Sequence, residues 1–247
     1  MKSWTMGIAG IVALAGITAS SYGPLGVSLA VGILLCAAFG VGWPHYLGIP
    51  AKKTLATIIA LAGTGGAICA AFTPGPGYLI WPPVFVALGV GAVFVVQLIR
   101  GTGQSHRLES TLGAGTGVLL AVLGAGWIAA QRSFVFAGGN AMMLITGVSA
   151  AVALLVGLIR WPDRIIAPVA VVLAALAGPM AALLFSDIHI VPAAIVGAAV
   201  AAVLVSFRRL ASLGGPPRSF PGAVAMGIGP VVALGTLVYF IDKLLIT

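Results

Sequence analysis

The chain has 247 residues, of which 61% are hydrophobic and only 6% charged, and 12 Lys and Arg against 4 Asp and Glu leave a formal net charge of +8. Soluble proteins carry about 25% charged residues. With a mean hydropathy of +1.20, this chain has too few polar groups to cover an apolar core in water, so a soluble fold is excluded and lipid is its solvent. The basic balance does not point to nucleic acid, because the cations fall in small groups between apolar runs, where they set topology.

In chain order the apolar runs fall at about 4–20, 24–43, 54–72, 78–99, 112–131, 139–159, 165–185, 190–207 and 222–241, each near the ~20 residues that span a bilayer as a helix. The expected fold is therefore all-α: a polytopic transmembrane helical bundle of nine helices. Eight is the fallback, because the first run is short and the segment 73–83 is rich in Gly and Pro. The whole of 1–247 reads as a single integral membrane domain with no soluble domain.

The opening MKSWTMGIAGIVALAGITASS has the lysine, apolar core and small residues of a secretion signal, but is read here as the first spanning helix. The second and third runs hold Cys36 and Cys69 without CxxC spacing. Buried thiols are the expectation, and a disulfide between neighbouring helices stays open. Tyr78, Trp81 and Trp127 suit an aromatic belt at one interface, and Trp43, Tyr46 and Trp161 suit the other. Small-residue spacings such as Gly113–Gly117, and Gly139 and Gly147, are expected to let helices approach closely where lipid offers no hydrophobic drive between them.

Placing the N-terminus in the cytoplasm and alternating the loops puts Lys2, Lys52, Lys53, Arg100, Arg107, Arg160, Arg164, Arg208, Arg209 and Arg218 inside, and only Arg132 and Lys243 outside. This asymmetry is the positive-inside pattern and gives an N-inside, C-outside topology. Four inside loops, GWPHYLGIPAKKT, LIRGTGQSHRLES, LIRWPDR and SFRRLASLGGPPRS, recur every 55–60 residues or so. That spacing fits either a duplicated helical hairpin or the shared composition of Ala/Gly/Leu-rich helices.

One inside loop is richer than the rest. LIRGTGQSHRLES (98–110) combines Arg100, His106, Arg107 and Glu109. Solvated topological charge accounts for the arginines. As a site, the stretch suits capture of an anionic group such as a lipid phosphate, since the arginine fork donates two parallel hydrogen bonds. Glu109 would orient an arginine, and Arg160 and Arg164 of the next inside loop would complete the cluster.

Within the membrane, Gly178-Pro179 and Gly229-Pro230 interrupt apolar runs at corresponding positions. Proline removes a donor and frees a carbonyl, and transporters use such breaks near the midplane. These four residues are candidate helix breaks beside a pathway, against the plainer expectation of ordinary kinks. The spanning cores otherwise hold no ionisable group, with Asp187 and Asp242 set near the outer face, which counts against ion-coupled transport. There is no HExxH, GxSxG or paired acidic motif. His45, His106 and His189 are too scattered for one metal site. No catalytic residue, metal or cofactor is expected.

These features point to a permease-like or lipid-handling integral membrane protein with membrane lipids as partners, able to bind an anionic headgroup at the cytoplasmic face. A non-catalytic accessory subunit of a larger membrane complex is the alternative, with other membrane subunits as partners. A membrane enzyme acting on a lipid phosphate comes third. The Arg-over-Lys, Ala/Gly/Val-rich usage suggests the inner membrane of a GC-rich bacterium.

Overall fold

A computed structural model describes the chain except residues 1, 102–106, 138–140, 160, 186–187, 216, 218 and 246–247. Among the described residues there are helices and turns and no strand. The helices are α1 (Lys2–Ser20), α2 (Leu25–Leu47), α3 (Lys52–Phe72), α4 (Pro82–Ile99), α5 (Arg107–Leu123), α6 (Ala125–Ala137), α7 (Ala141–Gly157), α8 (Asp163–Phe185), α9 (Ile190–Gly214) and α10 (Phe220–Leu245). Only Gly124 separates α5 from α6, and Arg107–Ser133 is one apolar stretch of 27 residues. The segments therefore correspond to the nine expected runs. Seven are long and apolar enough to cross a membrane, and Trp4–Ser20 and Ala141–Gly157 are shorter apolar helices. The protein is a multi-pass integral membrane bundle.

Three boundaries depart from expectation for local reasons. α2 continues through Pro44 and stops at Gly48, whose φ of 67° supplies the left-handed step that ends the helix. α5 begins at Arg107, so the end of LIRGTGQSHRLES is helix rather than loop. The break at Gly124 is held open by α10. Thr236 Oγ1 donates to Leu123 O at 2.8 Å, which satisfies the carbonyl at the break, and Trp127 Nε1 just beyond it donates to Val231 O at 2.8 Å.

The helices pack as two groups. α3 packs with α2, α4, α5 and α6, while α7, α8 and α9 pack on one another. α10 joins the two, touching α2, α5 and α6 on one side and α9 on the other, with α1 seated against α10 and α7. Small residues make the closest crossings. On α8 and α9, Gly178 meets the Ala193 carbonyl and Gly197 meets the Ala174 carbonyl. Two antiparallel small-xxx-small pairs are thus laid backbone to backbone.

The Gly113–Gly117 pair does something different. Gly113 lies against Leu47, and Gly117 against Trp43 and Ile59, so this face is a socket for large side chains. Trp43 Nε1 donates to Gly113 O at 2.9 Å within it. Gly147 faces Thr18, and Gly139 lies outside the described residues.

Trp43 and Trp127 are both 2% exposed, which corrects their place in the interfacial belts. An indole can sink into a core when its N–H finds a carbonyl, and both do. Tyr78 is likewise buried, whereas Trp81 and Trp161 remain exposed. Cys36 and Cys69 are free thiols.

The contacts also show which helix ends share a face. Gly7 of α1 meets Leu158, Gly222 of α10 meets the Tyr46 backbone, and Arg208 of α9 bonds to Gly157. All belong to the end that carries the cationic loops. At the opposite end Gln131 donates to Ser21 O and Gly23 O, and Arg132 Nη1 donates to Ala70 O and Thr73 O.

Candidate functional site

The described residues singled out around the inside loops lie at the ends of different helices. Arg100 caps the C-terminus of α4, and Arg107 opens α5. Glu109 stands exposed in the first turn of α5, where the helix dipole favours a carboxylate. Buried Gln97 donates to Ser110 Oγ at 2.6 Å and ties the two helix ends together. Arg164 is exposed in the first turn of α8. His106 and Arg160 lie outside the described residues. Since α4 and α5 pack with α3, and α8 with α7 and α9, the two loops cap different groups of helices.

The Gly-Pro steps are also kept apart. Both helices run on through them: α8 contains Pro168 and Pro179, and α10 contains Pro230. The expected breaks at Gly178-Pro179 and Gly229-Pro230 are therefore corrected to prolines carried within continuous helices, since neighbouring helices absorb the lost bond. Gly178 packs against α9 and faces the Ser149 hydroxyl of α7, while Gly229 packs against Phe207 of α9 and Phe39 of α2. α9 lies against both α8 and α10, so the two steps meet different parts of the same helix, Ala193 and Phe207.

The second step borders a cavity. A groove of about 290 Å³ opens between α1, α7, α9 and α10 at the cation-rich end, with Trp4, Gly7, Leu158, Phe207, Met226 and Pro230 among its walls. Its shape follows from uneven spacing. Gly227 lies against the Met6 carbonyl, and Gly10 against the Gly227 carbonyl, which draws α1 onto α10. Phe207 and Leu158 are bulky, and they hold α9 and α7 away from that pair. Pro230 offers no N–H to the carbonyl four residues back, which is that of Met226, so both ends of the missing bond belong to groove-lining residues.

Arg208 also lines the groove. Its guanidinium donates from Nη1 to Gly157 O, and from Nη2 to Ile159 O at 3.2 Å and Trp161 O at 3.5 Å. Three carbonyls at and beyond the end of α7 are thereby gathered by one planar fork. The arrangement joins an apolar trough to a fixed positive charge at its membrane-surface end, which suits a molecule with an apolar tail and an anionic head. Sequence reasoning counted Arg208 only as topological charge. Nothing local in the sequence links it to carbonyls about fifty residues earlier.

A second residue was also undervalued. Asp242 was set near the outer face, but it is 3% exposed and lies within the apolar stretch Phe220–Leu244. The expectation of spanning cores without an ionisable group is corrected on this point. Around it at that end, Tyr239 Oη donates to Pro76 O at 3.4 Å, Arg132 stacks 4.3 Å from the centre of the Tyr78 ring, and Lys243 Nζ sits 5.8 Å from the centre of the Tyr239 ring. Compared with family models, curated proteins and solved structures, the chain shows no match to any of them.

Proposed function

We propose that this membrane protein handles a lipid, taking an anionic amphiphile into the groove between α1, α7, α9 and α10. The observation that carries the reading is the pairing of an apolar trough with Arg208 at its cation-rich end. The tail lies along Phe207, Met226 and Leu158, and the phosphate or carboxylate head meets the field of Arg208 and Arg209. By the positive-inside rule this end faces the cytoplasm, where anionic headgroups concentrate.

Ala211 lines the groove and is only half-buried, so Ala211→Trp fills it without disturbing a helix crossing. The chain is purified in mild detergent and its bound lipids are quantified by mass spectrometry. Anionic lipid is expected to be enriched on the wild type over its share of the membrane, and to fall severalfold in Ala211→Trp at unchanged yield. Equal occupancy in both proteins would reduce the groove to an ordinary lipid-facing crevice.

A further inference from the structure

The outer end of α10 carries a feature independent of the groove. Asp242 sits in the last turn of α10 with 3% exposure. Three physical terms act against a bare carboxylate there. Burial strips its hydration. The helix dipole places partial negative charge at the C-terminal end. The last carbonyls of a helix also lack intrahelical donors, so their oxygens crowd the same region with more negative potential. A single positive charge at the carboxylate relieves all three.

Among the described residues no cation sits there as a buried partner. Lys243, the next residue, acts on the Asp242 charge, but it is exposed, with its ammonium over the Tyr239 ring. Arg132 is engaged by Ala70 O, Thr73 O and the Tyr78 ring. Of the other titratable groups at this end, Tyr239 donates to Pro76 O, Tyr78 stacks edge-on with Tyr239, and His189 and Tyr22 are exposed. A buried carboxylate is a hard oxygen donor, the kind that coordinates alkali cations or takes up a proton at membrane sites. Membrane-buried carboxylates are characteristic of such exchange.

We infer that the outer end of α10 binds a monovalent cation at Asp242, either an alkali metal ion or a proton, drawn from the outer membrane face. This gives the protein an ion-dependent element twelve positions along α10 from Pro230 of the groove, about 18 Å along the helix.

The test uses the full chain in nanodiscs of zwitterionic lipid. Thermal unfolding is followed at fixed pH and ionic strength with choline exchanged for sodium or potassium, and then across pH in choline alone. The wild type is expected to melt several degrees higher either with alkali cation, which identifies a metal ion, or only as the pH is lowered, which identifies a proton. Asp242→Asn is expected to lose the response and Asp242→Glu to retain part of it. A wild type indifferent to both, or an Asp242→Asn variant with an unchanged response, overturns the inference. Should the Asn variant fail to accumulate, carboxyl-carbon NMR of the wild type labelled at its three aspartates reads the site directly. A set of signals in which no buried carboxyl moves with pH or alkali cation then overturns it.

Discussion

The same dipeptide occupies two different environments in this bundle. Gly178-Pro179 lies where α8 and α9 touch backbone to backbone, with Gly178 against the Ala193 carbonyl and the Ser149 hydroxyl packed beside it. Gly229-Pro230 lies where the Phe207 and Phe39 rings keep the neighbouring helices at a distance, and Pro230 lines a groove. The first glycine permits backbone contact, whereas the second packs against two rings and its proline borders the groove. What distinguishes them is the size of the side chains opposite: alanines in one case, phenylalanines in the other. A proline in a membrane helix becomes part of a binding surface only where its surroundings leave the freed carbonyl room to meet something else. At the closed step even polar groups go unused, since the Thr146 and Ser149 hydroxyls are buried without a hydrogen-bond partner.

The sharpest way to break this contrast is to add one methyl group at each glycine. In Gly178→Ala the new carbon runs into the Ala193 carbonyl, which belongs to a helix backbone and cannot swing aside. The expected loss is about 3 kcal/mol or more, read as a collapse in folded yield and in melting temperature. In Gly229→Ala the carbon meets ring edges of Phe207 and Phe39 at 3.1 and 3.2 Å. These side chains can give slightly, and alanine's better helix propensity, worth about 1 kcal/mol, offsets the squeeze. A change within about 1 kcal/mol is expected at that site. Equal losses at the two glycines would remove the distinction.

A second comparison concerns the prolines and has a smaller expected effect. Pro230→Ala returns an N–H to the Met226 carbonyl and straightens a groove wall, so bound anionic lipid is expected to drop about two- to threefold. Pro179→Ala acts at a closed crossing and is expected to leave lipid occupancy unchanged. Lipid mass spectrometry on both purified variants decides between them, and a larger drop for Pro179→Ala would shift attention to the α8–α9 seam.

The smallest effects are expected at the start of α5, in LIRGTGQSHRLES. Arg107→Lys keeps the topological charge, and Glu109→Gln removes an exposed carboxylate from a helix N-terminus, where its interaction with the dipole is worth about 0.3–1 kcal/mol. Both variants should accumulate normally and hold lipid as the wild type does. Loss of bound lipid in either one would restore that loop as a binding element.

How much of this was legible follows the length scale of each feature. Hydropathy located the nine helical segments, seven of them long and apolar enough to span, because an apolar run must match the bilayer and that constraint is local. The interruption at Gly124 was hidden, since its cause is Thr236 and Val231 of α10 bonding across the break. Trp43 and Trp127 were misplaced because whether an indole seeks the interface or the core depends on a carbonyl supplied by another helix. The groove was half visible. Its proline stood out in the sequence, while Arg208 and the bulky residues that hold the helices apart took on meaning only once α7, α9 and α10 were assembled.

The position of α10 has a consequence for biogenesis. Membrane proteins are threaded into the bilayer as they are synthesised, and early segments fold before late ones emerge. Here the span that joins α2, α5 and α6 to α9, and seats α1, follows the other eight in the chain. Until it is inserted, Gly42, which packs against the Pro221 carbonyl, and Gly10, which packs against the Gly227 carbonyl, have no partner. The half-made protein must wait as two loosely joined groups, exposed to lipid and to the quality-control proteases of the membrane. Stalling synthesis just before Phe220 should yield a chain that is inserted yet rapidly degraded, whereas supplying Phe220–Leu245 as a separate segment should protect it.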